Sequence, residues 1–525
     1  MDSPLIDALM NPANYPHEVN HVERLETHIS WVLLAGNYAY KIKKPVDFGF
    51  LDFSTLAARK HFCQEELRLN RRHAESIYLD VVSISGPPDA PVIEGSGEVI
   101  DYAVRMRRFD QDLRFDRLLE RQTLQPEHID QLAAALASLH AHADRAGPES
   151  EYGQADTVIA PMRDNFSTLS EMLPNTPDQT RIEALRDWTE DQFSQLRPRI
   201  EQRKAAGHVR EGHGDAHLGN VVLHENTATL FDCLEFSPDL RCTDTVADLA
   251  FTVMDLQYRG AEPLSWRLLD AYLSDSGDHA GLDLLDFYVV YRAMVRAKVA
   301  ALSLADAPSS EQSGRLRAEL EGYLDLACRV SDRPPPILLL TSGVSGSGKS
   351  WLSERLLERC GLIRLRSDVE RKRLHQLPAS ARTESGPGEG LYTPEISART
   401  YRHLAQLSEQ LLRAGLPVVV DAAFLDPYQR AEFHALAERL GVCFGLIACA
   451  APRPVLEQRI CARQESGGDP SEAGLEVLRA QLAKVGGAVY ATDPEWQSCT
   501  LKLDTSSESA LDQAVTWVDE LRSGG

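Results

Sequence analysis

Short apolar runs with a two-residue rhythm dominate the first hundred positions. Ser30-Trp-Val-Leu-Leu, Tyr38-Ala-Tyr-Lys-Ile, Tyr78-Leu-Asp-Val-Val and Val99-Ile-Asp-Tyr-Ala-Val have the length and the β-branched and aromatic content of strands. One helical stretch, about Thr55 to His73, separates the second from the third. From Pro126 to Leu196 the pattern turns mostly helical, and Leu284 to Ala327 reads helical again. A small sheet-rich lobe followed by a larger helical lobe is expected upstream.

The sharpest break is Ser331-Asp-Arg-Pro-Pro-Pro336, where three consecutive prolines deny helix and end what precedes them. A new domain is expected there, with one domain over 1–333 and a second over 334–525. Ile337-Leu-Leu-Leu-Thr341 follows, an apolar run before a Gly/Ser turn that suits a buried parallel strand. No repeat emerges, and the Gly-rich segment 379–390 reads as a surface loop.

The chain has 525 residues, 43% of them hydrophobic, and a net charge of −23. That length accommodates two to four domains at roughly 100–200 residues each. The acidity disfavours a surface that tracks nucleic acid or anionic lipid. Nine cysteines lack any C-x-x-C pair or zinc spacing, which suits free thiols in a reducing compartment. The first residues carry no basic stretch followed by an apolar one, and no apolar run approaches the ~20 residues that span a bilayer. A cytoplasmic protein without a membrane partner is expected.

The upstream chemistry centres on His213-Gly-Asp215-Ala-His-Leu-Gly-Asn220, followed by a short hairpin and Leu230-Phe-Asp232. Phosphoryl transfer calls for one carboxylate facing the attacking hydroxyl, and for an amide and a second carboxylate to hold Mg²⁺ over the nucleotide phosphates. Asp215 fits the first role, Asn220 and Asp232 the others. These residues are also good turn formers, but the carboxylate at a strand end and the lobe order agree with the chemistry.

The pattern resembles the aminoglycoside phosphotransferase and choline kinase group of the protein-kinase-like superfamily, over roughly residues 20 to 325. The resemblance implies a strand lysine paired with a helix glutamate to grip the α and β phosphates. Lys41 and Glu66 are preferred, with Lys43 and Glu65 left open. It also implies an adenine-binding hinge near Met106, while Asp248 would brace the catalytic loop rather than touch substrate. The sequence departs from the wider kinase pattern in lacking a G-x-G-x-x-G loop between Thr27 and Gly36. Its diffuse acidity does not single out a polycationic drug as acceptor.

Downstream, Gly343-Val-Ser345-Gly346-Ser347-Gly348-Lys349-Ser350 matches G-x-x-x-x-G-K-[ST] between a strand and an amphipathic helical segment. Backbone N–H groups of such a loop curl around phosphates, the lysine reaches the β/γ oxygens, and the serine hydroxyl ligates Mg²⁺. Leu416-Pro-Val-Val-Val-Asp421 reads as a buried strand ending in a metal-site carboxylate. With the Ile363-to-Asp368 unit and the basic helix bearing Arg459 and Arg463, this part resembles the gluconate kinase, zeta-toxin and polynucleotide 5′-kinase group over about 335 to 520. That resemblance makes Asp368 the base facing the acceptor, Arg371 a grip for an anionic acceptor, and Arg459 and Arg463 lid arginines that meet transition-state charge.

The expected fold is therefore α/β and α+β: a bilobal protein-kinase-like domain followed by a parallel-sheet P-loop NTPase domain. The whole resembles a bacterial fusion of the two modules. Expected are ATP and Mg²⁺ as cofactors and small-molecule hydroxyl groups as acceptors, a polynucleotide 5′ end staying open for the second domain. Two other readings stand beside it: a kinase gated by a P-loop ATPase switch, and a nucleotide- or metabolite-sensing binding protein.

Overall fold

The computed structural model describes residues 3–49, 51–305, 309–379, 381–383, 389–466, 471, 473–484 and 494–523. Part of the Gly-rich segment at 379–390 lies outside them. The chain forms two compact units, one of residues 1–164 with 193–255, the other of 165–192 with 256–525.

The first unit is built on a six-stranded antiparallel sheet in the order β1-β2-β3-β6-β4-β5. Its strands are β1 (Val22–Glu26), β2 (Ser30–Ala35), β3 (Tyr38–Lys43), β4 (Tyr78–Ser85), β5 (Val92–Ile93) and β6 (Val99–Arg107). The four strands expected from the apolar runs are present. The two unforeseen ones, β1 and β5, are edges: β1 buries only Val22 and so carries no alternating signal. Successive strand residues face opposite sides of a sheet. Trp31, Leu33, Tyr40 and Ile42 thus join one apolar cluster, whereas Leu34, Ala39, Val104 and Met106 join another that includes Cys63 from the helix Leu56–Arg71. Short strands follow: β7 (Val209–Glu211), β8 (Val221–His224), β9 (Thr227–Leu230) and β10 (Cys242–Asp244), paired β10 with β7 and β8 with β9.

The second unit contains a five-stranded parallel sheet in the order β12-β13-β11-β14-β15, made of β11 (Ile337–Ser342), β12 (Ile363–Arg366), β13 (Val418–Asp421), β14 (Cys443–Ala450) and β15 (Thr500–Asp504). Every residue of β11 is buried, as a central strand covered on both faces requires. The helix before the prolines ends at Ser331. The region Leu284 to Ala327 resolves into two helices, Leu285–Ala305 and Ser310–Ser331. All nine cysteines are free thiols. Among the described residues no helix is long and apolar enough to cross a membrane.

Candidate functional site

In the first unit, strand alternation puts Lys41 and Lys43 on the Ala39 side of β3, toward the helix Leu56–Arg71. Lys41 Nζ lies 2.8 Å from Glu66 Oε1 and also bonds Asp232. Lys43 has no exposed side-chain surface and pairs with the other oxygen of Glu66 and with Glu235. Glu66 therefore faces both lysines, whereas Glu65 pairs with Arg68 at 2.8 Å. Burial opposes the charge of Lys41, but Asp232, Glu66 and Glu235 together hold its ammonium well above the ordinary lysine range. Burial likewise works against ionising Asp232, and Lys41 overrides it, leaving the carboxyl below its usual value.

Asp232 adopts a left-handed backbone, φ 62°, which for a residue with a side chain costs about 1–3 kcal/mol and persists only where neighbours enforce it. Its N–H donates to Tyr78 Oη at 3.0 Å, and the Cys233 N–H donates to Asn70 Oδ1 at 2.9 Å. The strain aims the carboxylate at Lys41.

The loop bearing Asp215 is held from beneath by the helix Thr245–Tyr258. The backbone N–H groups of His213 and Gly214 donate to Asp248 at 2.7 and 2.8 Å, and His140 Nε2 lies 3.1 Å from the same carboxylate. One turn on, Thr252 Oγ1 donates to the Ala216 carbonyl at 2.6 Å, and Asp255 accepts the Leu218 N–H at 2.8 Å. Against the push of burial, His140 and His213 keep the Asp248 carboxyl well below the usual range. Asn220 donates its Nδ2 to the Asp215 carbonyl at 3.0 Å and to Oδ2 at 3.1 Å, so its amide oxygen is the group left to ligate a cation. His217 Nε2 stands 3.6 Å from Asp215 Oδ2.

An amide oxygen and a carboxylate are hard ligands that suit Mg²⁺, which is held by one or two carboxylates together with substrate phosphates. Among the described residues no group of three or more His, Cys, Asp or Glu forms a cage that binds a metal without phosphate. Met106 lies at the end of β6, its side chain buried in the cluster with Leu34, Ala39 and Tyr78.

In the second unit the loop after β11 turns through left-handed glycines, Gly346 at φ 80° and Gly348 at φ 84°, into the helix Lys349–Cys360. A Cβ on Gly346 would meet the Leu456 carbonyl at 2.7 Å, so the loop's path requires glycine there. Lys349 Nζ donates to the Val344 carbonyl at 2.9 Å. Burial pushes its ammonium down, with Asp421 and Asp368 pulling the other way. A cleft of about 540 Å³ joins Ser345, Gly346, Gly348, Lys349 and Ser350 to Asp368 and Asp421. Ser347 is instead fully buried, and Gly343 lies beside it, a Cβ there meeting Ser347 Oγ at 2.6 Å.

Arg371 Nη1 donates to Asp368 at 2.9 Å, its guanidinium stacks over Tyr392 at 4.7 Å, and its Nε is buried with no hydrogen-bond partner among the described residues. Arg459 and Arg463 reach the loop from the helix Arg453–Ser466. Arg459 donates to Thr505 Oγ1 at 2.8 Å and to the Gly346 carbonyl at 3.3 Å, and Arg463 to Ser345 Oγ at 3.3 Å. Both arginines line the cleft while bracing the loop itself.

Sequence reasoning missed Glu235 as the partner of Lys43, the loop supports Thr252 and Asp255, and Gln481, whose Oε1 accepts the Ser345 N–H at 2.7 Å. A signal existed for the supports: Asp248, Thr252 and Asp255 recur at helical spacing within an otherwise apolar helix.

Two family models match separate stretches of the chain. Residues 63–287 match the model of a phosphotransferase enzyme family, and residues 338–487 match that of an AAA domain. An uncharacterized protein of Mycobacterium tuberculosis (strain ATCC 25618 / H37Rv) is 29% identical over 484 residues, 92% of this chain and 94% of its own length. The solved structure of a choline/ethanolamine kinase family protein from Mesorhizobium loti is 15% identical, covering 60% of this chain and 88% of its own, with a TM-score of 0.38. A gluconokinase from Sinorhizobium meliloti is 21% identical, covering 37% and 97%, with a TM-score of 0.26. The chain thus carries a phosphotransferase-family segment followed by a P-loop segment, the two resemblances its motifs indicated.

Proposed function

We propose that this protein is an ATP-dependent phosphotransferase with two nucleotide sites, each transferring the γ-phosphoryl group to a hydroxyl of a small molecule. The reading assigns the first site to residues 1–333 and the second to 334–525. The observation that carries it is the convergence of Lys41, Glu66 and Asp232 in the unit whose loop presents Asp215 and Asn220.

At the first site Asp215 orients the acceptor and takes its hydroxyl proton onto a carboxylate oxygen. As that proton leaves, the acceptor oxygen forms a bond to the γ phosphorus and the bond to the β–γ bridging oxygen breaks, releasing ADP. Lys41, held by Glu66, exchanges Asp232 for phosphate oxygens. Asn220 and Asp232 hold Mg²⁺, which supplies neutralising charge along the phosphates when bound. At the second site Asp368 takes the acceptor proton, and Lys349 and the loop N–H groups bind the phosphates. Ser350 and Asp421 serve the metal, and Arg459 and Arg463 steady the loop against the transferring group. Arg371, its Nε without a partner among the described residues and its Nη1 on the base, favours an acceptor bearing an anionic group.

Equilibrium dialysis with ATP and Mg²⁺ tests the reading. Wild type is expected to bind two equivalents, and Lys41→Met or Lys349→Ala one each. A single equivalent in wild type, lost with either change alone, overturns it.

A further inference from the structure

The helix Glu262–Ser276 lies within the segment that matches the phosphotransferase model, 63–287, yet belongs to the compact unit that contains the P-loop, 256–525 with 165–192. It packs against the phosphate-loop helix Lys349–Cys360 and against β12, an edge strand of the parallel sheet. A parallel sheet is covered by helices on both faces. Here a helix from before the proline break packs on the sheet's edge strand and on the phosphate-loop helix.

We propose that this helix completes the acceptor side of the P-loop site, and that Asp270, acting through Arg364, is a positioning residue for the turn bearing Asp368 and Arg371. The proposal rests on reading the 343–350 loop as a nucleotide site. Arg364 of β12 is 9% exposed and forks onto Asp270, Nε to Oδ1 at 3.0 Å and Nη2 to Oδ2 at 2.6 Å. Its remaining arm, Nη1, lies 3.5 Å from the carbonyl of Ser350, in the first turn of the phosphate-loop helix.

Beyond the base, Arg373 donates to the carbonyls of Leu273 and Ser274, each at 3.0 Å. These carbonyls belong to the last turn of the same upstream helix, the Leu273 carbonyl also accepting the Gly277 N–H at 2.9 Å. The chain then turns at Gly277, φ 69°, where a Cβ would strike Arg373 Nη1 at 2.3 Å.

Asp368 and Arg371 therefore sit between two arginines that seat on one turn of the Glu262–Ser276 helix. A bidentate guanidinium–carboxylate fork fixes direction as well as distance, which apolar helix-on-strand packing does not. Because the same guanidinium reaches Ser350, the base-bearing turn and the phosphate-binding helix share an anchor. Displacing a reacting group by about 1 Å costs up to about 100-fold in rate, so an anchor of this kind acts on turnover.

The test uses the full chain carrying Lys41→Met, with ATP as probe and water in the acceptor's place. Asp270→Asn is expected to lower Lys349-dependent hydrolysis about 10-fold, with KM for ATP changed less than about twofold, measured well below a Tm that falls because Arg364 stays buried without its carboxylate. Arg364→Lys should recover part of the rate lost in Arg364→Met. Asp270→Asn with Arg364→Met should cost no more than the worse single change. Hydrogen exchange over 363–374 should quicken in Asp270→Asn while 337–342 stays protected.

Unchanged rate and exchange overturn the proposal, as does a fall in kcat matched by an equal rise in KM. If Lys349→Ala leaves hydrolysis untouched, the nucleotide reading fails by itself, and exchange at 363–374 then decides the clamp.

Discussion

Lys41 Nζ donates to Glu66 Oε1 at 2.8 Å, while the second oxygen of Glu66 belongs to Lys43. The two lysines, one strand step apart, thus divide one carboxylate. Lys41 also reaches Asp232, whose side chain is partly exposed, whereas Lys43 is sealed between Glu66 and Glu235.

That division predicts opposite phenotypes. Lys43→Met leaves Glu66 to Lys41 but strands the buried Glu235, and should cost about 3–5 kcal/mol of stability, read by chemical denaturation. Lys41→Met leaves Glu66 with a partner and should cost less stability, but abolish ATP binding at the first site, read by calorimetry in a Lys349→Ala background. Equal stability losses would contradict the division.

Gly212 is pinned by the carboxylate that supports the loop bearing Asp215. A Cβ there would lie 2.5 Å from Asp248 Oδ2. Gly212→Ala should therefore cost about 1–3 kcal/mol and remove transfer at the first site, because the clash displaces the acceptor of the His213 and Gly214 N–H groups. Thermal denaturation with a product assay checks both.

His73 contributes to the pH dependence, beside the buried His213 and His279, which burial also presses down, and Asp248. Burial, then His213 and Arg72, press the His73 imidazole down to about 3, and neither ring nitrogen has a hydrogen-bond partner among the described residues. The unfolded chain binds the proton near pH 6.5, so it binds more protons than the folded chain between there and pH 3. The stability from keeping His73 neutral is complete above about pH 6.5 and is lost as pH falls toward 3. His73→Phe should flatten the fall of Tm across that window, and an unaltered slope would assign the dependence elsewhere.

Much of this was legible in the sequence, and the illegible part has a common cause. Asp215, Asn220, Asp232 and the 343–350 loop announce themselves because phosphate chemistry fixes their spacing along the chain. Lys41 and Glu66 were found as types, but Lys43 and Glu65 competed until the sheet face and helix face were known. Glu235 and Asp270 gave no signal. Each answers a partner far off in sequence, Lys43 and Arg364, and a lone acidic residue on a helix or turn reads as solvated until the fold brings a cation to it. Arg459 and Arg463 were legible as a pair on one helix face, though not as supports of the loop.

Arg459 yields a kinetic prediction. Its hydrogen bonds hold Thr505 and the Gly346 carbonyl, so Arg459→Ala should loosen the phosphate loop and raise KM for ATP about 10-fold, the scale of losing hydrogen bonds to a charged group. Steady-state kinetics on the Lys41→Met chain measures this. A fall in kcat at constant KM would place Arg459 in the transition state instead.

The central claim, two sites with separate products, is tested most directly by mass spectrometry of a small-metabolite extract incubated with Mg-ATP and the full chain. Wild type, Asp215→Asn and Lys349→Ala are compared. The expected result is that each change abolishes a different phosphorylated product and spares the other. If both changes remove the same product, the two sites do not act independently, and the account is contradicted.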